Sequence, residues 1–264
     1  MMQVHHEFFD RGWAHFGHDP QIAAWVASAV DPAKAAARDP AQAHWLRCGG
    51  TWFVGVDSLP NDARGALGDG PPLTGTAMDF IRSIEGFDLP FHRAQVSICY
   101  PGYPQPSEEE SESAFQYRVK HDAAHIDGLL AEGLQKRRYL KEPHAYILGL
   151  PLADADPGAS PLVVWEGSHM IMRQAFAKAF DGIEPERWPE VDLTDLYQAT
   201  RREVFADCKR IELLAQPGDA ILLHRHVLHG VAPWREGSKA DADGRMIAYF
   251  RPEFPSVSDW LEQP

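Results

Sequence analysis

The sequence contains few cysteines and no long apolar run. Its three cysteines, Cys48, Cys99 and Cys208, are scattered and form no Cys-x-x-Cys pair, so free thiols in a reducing cytosol are the simplest interpretation. The absence of about 18 consecutive apolar residues argues against a transmembrane helix. The first residues, MMQVHHEFFDRGW, contain acids and histidines instead of the apolar segment of a signal peptide. We therefore expect a cytoplasmic protein that has no membrane partner.

Positive charge is also scarce. The chain has 25 Lys and Arg residues against 38 Asp and Glu residues, which gives a formal net charge of −13. An acidic surface repels phosphate backbones, so a nucleic-acid partner is not expected. It also disfavours a highly anionic substrate, unless a local basic patch such as RRYLK around Arg137 receives it. The length of 264 residues and the 44% of hydrophobic residues fit a globular protein that buries a sizeable core.

The first 90 or so residues favour helices. Ala-rich segments between about residues 20 and 46 contain good helix formers, and we predict breaks at Pro32 and Pro40. TAMDFIRSIEGF predicts a short helix with Gly86 near its end, and TWFVGVDSL predicts a short strand. These helices are too few for a core of their own. We therefore predict a single domain, residues 1–264, in which a helical part of about 1–90 packs on a β core of about 91–255.

From about Phe91 onwards the pattern changes to short strands. One helical insert, at about residues 170–197, interrupts the series. A Pro-, Glu- and Ser-rich segment after Tyr100 is predicted to be either a solvated surface loop or a lid over a pocket. The fold class is then mainly β with flanking helices (α+β), with a β-sandwich, jelly-roll or barrel core. The short apolar or alternating runs that support it are RAQVSICY, HAYILGLPL, PLVVWEG, RIELLA, DAILLHRHVLH and RMIAYF.

Candidate metal ligands begin with His125-Ile126-Asp127. Residues i and i+2 of a strand point to the same face, so an imidazole and a carboxylate could bind one metal ion there. Downstream, QPGDAILLHRHVLHGVAPW offers His224, His226 and His229 as a third ligand. Two histidines and one carboxylate form a facial triad, which leaves coordination positions open and is typical of non-haem Fe(II) oxygenases. Gly230 would let the backbone approach closely beside His229.

An arginine on the following predicted strand is the next candidate. In GRMIAYFRPEF, Arg245 opens the strand 16 residues after His229. A guanidinium pairs in bidentate fashion with a carboxylate, and 2-oxoglutarate that chelates iron through its keto-acid end still presents a distal carboxylate. Arg251 is the alternative partner for it. It lies six residues on, about 20 Å along an extended strand, so only one of the two should reach the metal, and Arg245 is nearer to it in sequence.

These motifs, in this order, resemble the phytanoyl-CoA dioxygenase family over about residues 95–252. The resemblance implies a double-stranded β-helix core, related to jelly rolls and cupins. It implies Fe(II) bound by His125, Asp127 and His229, with 2-oxoglutarate as cosubstrate and its distal carboxylate on Arg245. PLVVWEGSH is similar to the family's Gly-x-Leu-x-x-x-Pro-Gly-Ser-His stretch, although Trp165-Glu166 stands where a proline is common. The segment REGSKADADG lengthens the usual spacing between histidine and arginine.

The function that the resemblance implies is a dioxygenase, which uses O2 and releases succinate and CO2. Related halogenases lack the carboxylate ligand, so Asp127 favours hydroxylation of a small organic substrate. His144, which opens HAYILGLPL, is a further candidate for contact with 2-oxoglutarate. Two alternatives remain. One is a jelly-roll protein that binds a ligand or metal without catalysis. The other is a cupin-type metalloenzyme that does not use 2-oxoglutarate, although the usual cupin HxH…E motif is missing. The sequence does not indicate an oligomeric state.

Overall fold

A computed structural model describes residues 2–86, 89–107 and 110–263. Its amino-terminal part contains three α-helices, one 3-10 helix and three short strands. Asp19 caps the second helix by accepting a hydrogen bond from the backbone N–H of Gln21 at 2.8 Å. The elements are α1 (Met2–Arg11), β1 (Trp13–Phe16), α2 (Pro20–Arg38), a 3-10 helix (Pro40–Trp45), β2 (Leu46–Arg47), β3 (Trp52–Phe53) and α3 (Thr76–Glu85).

The predicted break at Pro32 is wrong, because α2 continues through it to Arg38. A proline inside a helix removes one backbone hydrogen bond, here to the carbonyl of Ser28, and costs about 3 kcal/mol. Ser28 is only half-buried, so water can reach that part of the helix. The opposite face buries a continuous apolar stripe, and its packing outweighs the local cost. The stripe consists of Ile22, Trp25, Val26, Ala29 and Ala33.

The remaining chain is mostly β, as predicted, with helices inserted. The helical insert predicted at about residues 170–197 is two α-helices joined by a 3-10 helix, and it extends to Asp207. Residues 108 and 109 of the Pro-, Glu- and Ser-rich segment lie outside the described residues, so whether the segment is a lid stays a prediction. The elements are β4 (Gln95–Cys99), α4 (Glu112–Lys120), β5 (Leu129–Glu132), β6 (Arg137–Leu140), β7 (Tyr146–Pro151), β8 (Leu162–Glu166), α5 (Ser168–Phe180), a 3-10 helix (Pro185–Glu190), α6 (Thr194–Asp207), β9 (Lys209–Leu213), β10 (Ala220–His224), β11 (His229–Val231), β12 (Arg245–Phe250) and α7 (Asp259–Glu262).

Two antiparallel sheets form the jelly-roll core. The larger has the order β1-β10-β7-β12-β4-β3-β2, and the smaller has the order β11-β8-β9. Strand alternation divides β12 between two environments. Ile247 and Tyr249 pack with residues of the smaller sheet, whereas Met246, Ala248 and Phe250 pack against the helical layer. None of the helices in the described ranges has the length and apolarity that a membrane span requires.

The chain changes sheets at the run of three histidines. β10 ends at His224 in the larger sheet, a turn follows, and β11 begins at His229 in the smaller sheet. His226 lies in that turn and not on the strand that carries His224. This change of sheet separates His229 from the other two histidines and places it beside residues 122–125.

Candidate metal centre

Three predicted ligands converge at the edge of the smaller sheet. Nε2 of His125 lies 3.3 Å from Oδ1 of Asp127, and Nε2 of His229 lies 3.9 Å from the same oxygen. One ligand atom from each residue lies within 4.8 Å of the other two. No other group of histidine, cysteine or acidic residues meets this condition within the described ranges. The three side chains are therefore close enough to share one metal ion.

Backbone pairing brings the two histidines together. The N–H of His125 donates to the carbonyl of His229 at 2.8 Å, and the N–H of His229 donates to the carbonyl of His125 at 3.1 Å. This is an isolated bridge, and Asp127 lies in the turn that follows it, so the predicted strand through residues 125–127 is wrong. A Cβ on Gly230 would lie 2.2 Å from the carbonyl oxygen of Asp122, which confirms the predicted close approach at this glycine.

The orientation of both rings prepares them to bind a metal. Nδ1 of His125 donates to the carbonyl of Ala123 at 3.0 Å, and Nδ1 of His229 donates to the carbonyl of Val227 at 3.0 Å. Because a carbonyl oxygen only accepts, each Nδ1 carries the proton and each Nε2 keeps its lone pair. Such hydrogen bonds on the second nitrogen fix the tautomer and the ring direction of metal-binding histidines.

Charges within the site keep the ligands in their binding forms. Burial would raise the pKa of Asp127, but the charge of the Arg251 guanidinium holds it well below its usual value. Burial, followed by repulsion from His125, lowers the pKa of His229 to about 4. Near neutral pH the site therefore offers a carboxylate and a neutral imidazole, the forms that bind a metal.

Arg251, and not Arg245, contacts the ligand triad. Its Nη1 lies 3.3 Å from Oδ2 of Asp127, which leaves Oδ1 facing the histidines. The expectation that Arg245 would be the nearer of the two to the metal is therefore wrong. Because β12 starts at the far end of the sheet and runs back towards the triad, a residue later in the sequence lies closer in space.

His144 lies outside the cavity that the triad lines. Its Nδ1 donates to the carbonyl of Arg251 at 2.9 Å, and its Nε2 lies 3.2 Å from a carboxylate oxygen of Glu142. His92 donates to the same carbonyl at 2.8 Å. With both ring nitrogens engaged away from the metal, His144 holds the backbone of Arg251, and its placement gives no support to contact with 2-oxoglutarate.

Arg245 is buried on the inward face of β12, which it shares with Ile247 and Tyr249, and it has no acidic partner. Its side chain is 6% exposed, and Nη1 has no hydrogen-bond partner among the described residues. No described carboxylate oxygen lies within 4.0 Å of the guanidinium. Nearby, the buried hydroxyl of Tyr249 also has no partner. Burial raises the pKa of Tyr249, and the charge of Arg245 partly offsets this. Nη1 of Arg245 and the Tyr249 hydroxyl are therefore buried polar groups that an anionic ligand could satisfy.

Polar residues of β4 complete the cavity. Gln95 and Ser97 line the cavity together with Trp52 and Tyr249. Ser97 accepts a hydrogen bond from Nε1 of Trp52 at 3.0 Å. The alternation of polar and apolar residues in QVSIC indicates this inward face, and it could have identified Ser97.

The overall fold is similar to that of two non-haem enzymes of known structure. One is SnoK, an alpha-ketoglutarate-dependent carbocyclase from nogalamycin biosynthesis, with a TM-score of 0.52 and 13% identity over 98% of this chain and 88% of that chain. The other is the epimerase SnoN, in complex with Fe3+, alpha-ketoglutarate and nogalamycin RO, with a TM-score of 0.51 and 13% identity over 96% of this chain and 82% of that chain. No family model and no curated protein matches the sequence. At this identity, the likeness shows the fold, a jelly roll with flanking helices.

Proposed function

We propose that the chain is an Fe(II)- and 2-oxoglutarate-dependent dioxygenase that hydroxylates a small organic substrate. The observation that carries this proposal is the convergence of His125, Asp127 and His229, with both Nε2 lone pairs free. Two histidines and one carboxylate occupy one face of an ion and leave open positions, as in non-haem Fe(II) oxygenases. The two enzymes of similar fold depend on alpha-ketoglutarate, which is 2-oxoglutarate, and this supports the same cofactors here.

The proposed reaction is balanced as substrate C–H plus O2 plus 2-oxoglutarate giving substrate C–OH, succinate and CO2. When bound, the iron supplies the activation of dioxygen. The chain's own contribution is to hold and orient the groups. His125 and His229 present neutral Nε2 atoms, and Arg251 holds Oδ2 of Asp127 so that Oδ1 faces them. Apolar side chains such as Ile147 and Leu162 limit water in the cavity.

Arg245 is our proposed partner for the distal carboxylate of 2-oxoglutarate. It is buried without an acidic partner on the inward face of β12, and 2-oxoglutarate bound at the triad would have to extend along this strand to reach it. Arg251 already compensates the charge of Asp127, so it is less suited to a second carboxylate. The hydroxyl of Tyr249, which lines the triad cavity, would donate to the same group. A metalloenzyme without a carboxylate-bearing cosubstrate gives no reason for a buried arginine of this kind.

Hydroxylation is the proposed outcome because Asp127 fills the position that a halide needs in related halogenases. SnoK is a carbocyclase and SnoN an epimerase, so similar folds support other oxidations. The product analysis must therefore be part of the test. Incorporation of one atom of labelled dioxygen into the product would support hydroxylation, whereas a cyclised or epimerised product without it would contradict it.

The test of the proposal is an anaerobic titration of the iron-loaded protein with 2-oxoglutarate. We expect a weak visible charge-transfer band that saturates, and succinate formation once oxygen is admitted. Absence of both would overturn the proposed function.

The same titration separates the two arginines. Arg245→Ala should raise the 2-oxoglutarate concentration at half-saturation about 10- to 100-fold, because a charged hydrogen bond contributes about 1.5–3 kcal/mol. Its iron affinity should not change. Arg251→Ala should instead weaken iron binding, since Asp127 loses its neighbouring cation. The reverse result would show that Arg251 binds the distal carboxylate.

A further inference from the structure

A second cavity lies against the exposed side of His125. Its volume is about 430 Å³, within the range of small-molecule sites. The His125 side chain is 44% exposed, whereas those of Asp127 and His229 are 12% and 8% exposed. His125 lines both this cavity and the one that contains the rest of the triad. A molecule in the second cavity would therefore lie against one of the three predicted metal ligands.

The walls of this cavity are basic, in contrast to the chain as a whole. Arg118 of α4, Lys136 and Arg138 of the β5–β6 hairpin, and Arg201 of α6 all line it. No aspartate or glutamate is among its lining residues in the described part of the chain. The full sequence has 38 acidic against 25 basic residues. A cavity whose Lys and Arg residues face no lining acid therefore differs in charge from the chain as a whole.

Three of these cations have no acidic partner. Arg118 is compensated by Glu110, whose carboxylate lies 2.7 Å from its Nη2. By contrast, no carboxylate in the described ranges lies within 4.0 Å of Lys136, Arg138 or Arg201. The nearby acids serve another residue, because Asp192 and Asp195 pair with Arg137, which does not line the cavity. Positive charge is thus left uncompensated on the walls.

Arg201 is held in place by aromatic rings. Its guanidinium carbon lies 5.4 Å from the ring centroid of Tyr197 and 5.5 Å from that of Phe205. Its Nε is buried and has no hydrogen-bond partner among the described residues. The hydroxyl of Tyr197 in turn accepts a hydrogen bond at 3.0 Å from the N–H of Ile126, the residue between two metal ligands. Arg201 is therefore a rigid cation, fixed relative to the metal centre, with a donor still to be satisfied.

We propose that this cavity binds the substrate through an anionic group, a carboxylate or a phosphate. Arg201 is its main hydrogen-bond donor, and Arg138 and Lys136 add positive charge. The rest of the substrate then extends towards His125, where the carbon to be oxidised lies. This inference rests on the proposed function, because it assigns the substrate of that same site.

The test follows the Nε–Hε NMR signals of the arginines in the full chain during titration with simple probes. The chain is loaded with Zn(II), which is redox-inert, and with one equivalent of 2-oxoglutarate, so that the probe anions do not bind at the metal site instead. The probes are inorganic phosphate, acetate and neutral acetamide. We expect a saturable shift of the Arg201 signal with phosphate or acetate and none with acetamide. No saturable shift with either anion, or an equal shift with acetamide, would overturn the inference.

Substitutions assign the effect to the cavity. Arg201→Gln should weaken binding of the preferred anion at least about tenfold, because it removes a charge-assisted hydrogen bond. Arg202→Gln is the matched control on the same helix. Its side chain is exposed and outside the cavity lining, so binding should not change. Arg138→Gln, on an exposed hairpin, should weaken binding several-fold. It tests the same proposal if Arg201→Gln does not fold. Equal affinities in all variants would contradict the proposal.

The probes also distinguish the two possible substrate groups and the two proposals. Tighter binding of phosphate indicates a phosphate ester, and tighter binding of acetate indicates a carboxylic acid. A charge-transfer band with 2-oxoglutarate but no anion binding would overturn this inference alone. Saturable anion binding without that band would overturn the proposed oxygenase and leave an anion-binding cavity.

Discussion

Two groups of histidines lie in this domain at similar ring separations, but only one can bind a metal. The ring centroids of His125 and His229 are 4.6 Å apart. Those of His169 and His224 are 4.9 Å apart, and those of His224 and His226 are 5.2 Å apart. Proximity of imidazoles is therefore not what distinguishes the metal centre from the second group, which we call the buried histidine cluster (His169, His224 and His226).

The difference lies in the ring nitrogens and the neighbouring charges. In the metal centre each Nδ1 donates to a carbonyl, and Asp127 faces both free Nε2 atoms. In the buried histidine cluster, Nδ1 of His224 accepts from the N–H of His226 at 3.0 Å, so that lone pair is used. Both ring nitrogens of His226 lack partners among the described residues. The cations next to the cluster are Arg225 and Arg173, which repel a metal ion.

The buried histidine cluster joins helices to the larger sheet. His224 packs near Phe8 of α1, and His226 packs on Phe176 of α5 and Trp260 of α7. Three histidines close in sequence, His224, His226 and His229, thus serve two purposes, because the turn after β10 sends His229 to the other sheet. A carboxylate and correctly directed lone pairs, and not histidine content, make the metal site.

The largest expected effect separates the two groups by iron binding. Outer hydrogen-bond partners of metal ligands contribute about 10- to 100-fold to affinity, so losing a ligand should cost at least about 100-fold. We therefore expect Asp127→Ala to weaken Fe(II) binding by at least this factor, measured by anaerobic competition with a chromogenic chelator. His226→Leu, which conserves most of the side-chain volume, should leave the affinity within about twofold. Equal losses in both variants would mean that the buried histidine cluster takes part in metal binding.

A smaller effect should follow from moving a ligand without removing it. Gly230 follows His229, and a Cβ there would lie 2.2 Å from a backbone oxygen of Asp122 and 3.1 Å from Cα of Ala124. Gly230→Ala should therefore separate the two chain segments that carry the histidines. We expect it to lower the free energy of unfolding by about 1–3 kcal/mol and to weaken Fe(II) binding about tenfold.

The matched control is Gly17→Ala, since Gly17 is exposed and a Cβ there would meet nothing within 4 Å. Its free energy of unfolding, from urea titration, should change by less than about 0.5 kcal/mol. If Gly230→Ala is equally harmless, the close approach at this glycine does not hold the metal centre together.

The triad could be predicted from the sequence because its signal is local chemistry in a fixed order. The HxD motif supplies two ligand types close together, the strand before His229 indicates where a third ligand lies, and the glycine after it permits a close backbone approach. The sequence could not show which of Arg245 and Arg251 lies nearer the metal. In an antiparallel sheet β12 runs back towards the triad, so the arginine that is farther along the sequence lies closer in space. The contacts of His144 could not be predicted either, since nothing in the sequence shows that the carbonyl of Arg251 faces its ring.

The strands and the general fold class could be predicted from alternation and turn residues, whereas tertiary packing decided the rest. Pro32 stays helical because the buried stripe of α2 spans it. The anionic subsite could not be found in advance. Tyr197 is 71 residues from Ile126, and only the docking of α6 brings their hydroxyl and N–H together. Likewise, the sequence does not distinguish Arg201 from an ordinary surface arginine of a helix. Only the structure shows that its guanidinium lies beside the rings of Tyr197 and Phe205.

The smallest expected effect concerns pH and the buried histidine cluster. Burial, followed by the charge of Arg225, lowers the pKa values of His224 and His226 well below the usual value, so both are neutral in the folded chain. In the unfolded chain they titrate near pH 6.5. As the pH falls below about 6.5, the unfolded chain takes up protons that the folded chain does not. The free energy of unfolding should therefore decrease as the pH falls and stay independent of these groups above about pH 7.5.

Between pH 7.5 and 5.5, each such histidine should cost about 1.4 kcal/mol of stability. His226→Leu should reduce this pH-dependent loss of stability by about 1.4 kcal/mol, measured by urea unfolding of the metal-free protein. At pH 7.5 the substitution should change the free energy of unfolding by less than about 1.5 kcal/mol, because leucine keeps most of the buried volume. His44→Gln, at an exposed side chain, should keep the full loss. If His226→Leu also keeps it, His226 is protonated in the folded chain, and the contrast between the buried histidine cluster and the metal centre must rest on Asp127 alone.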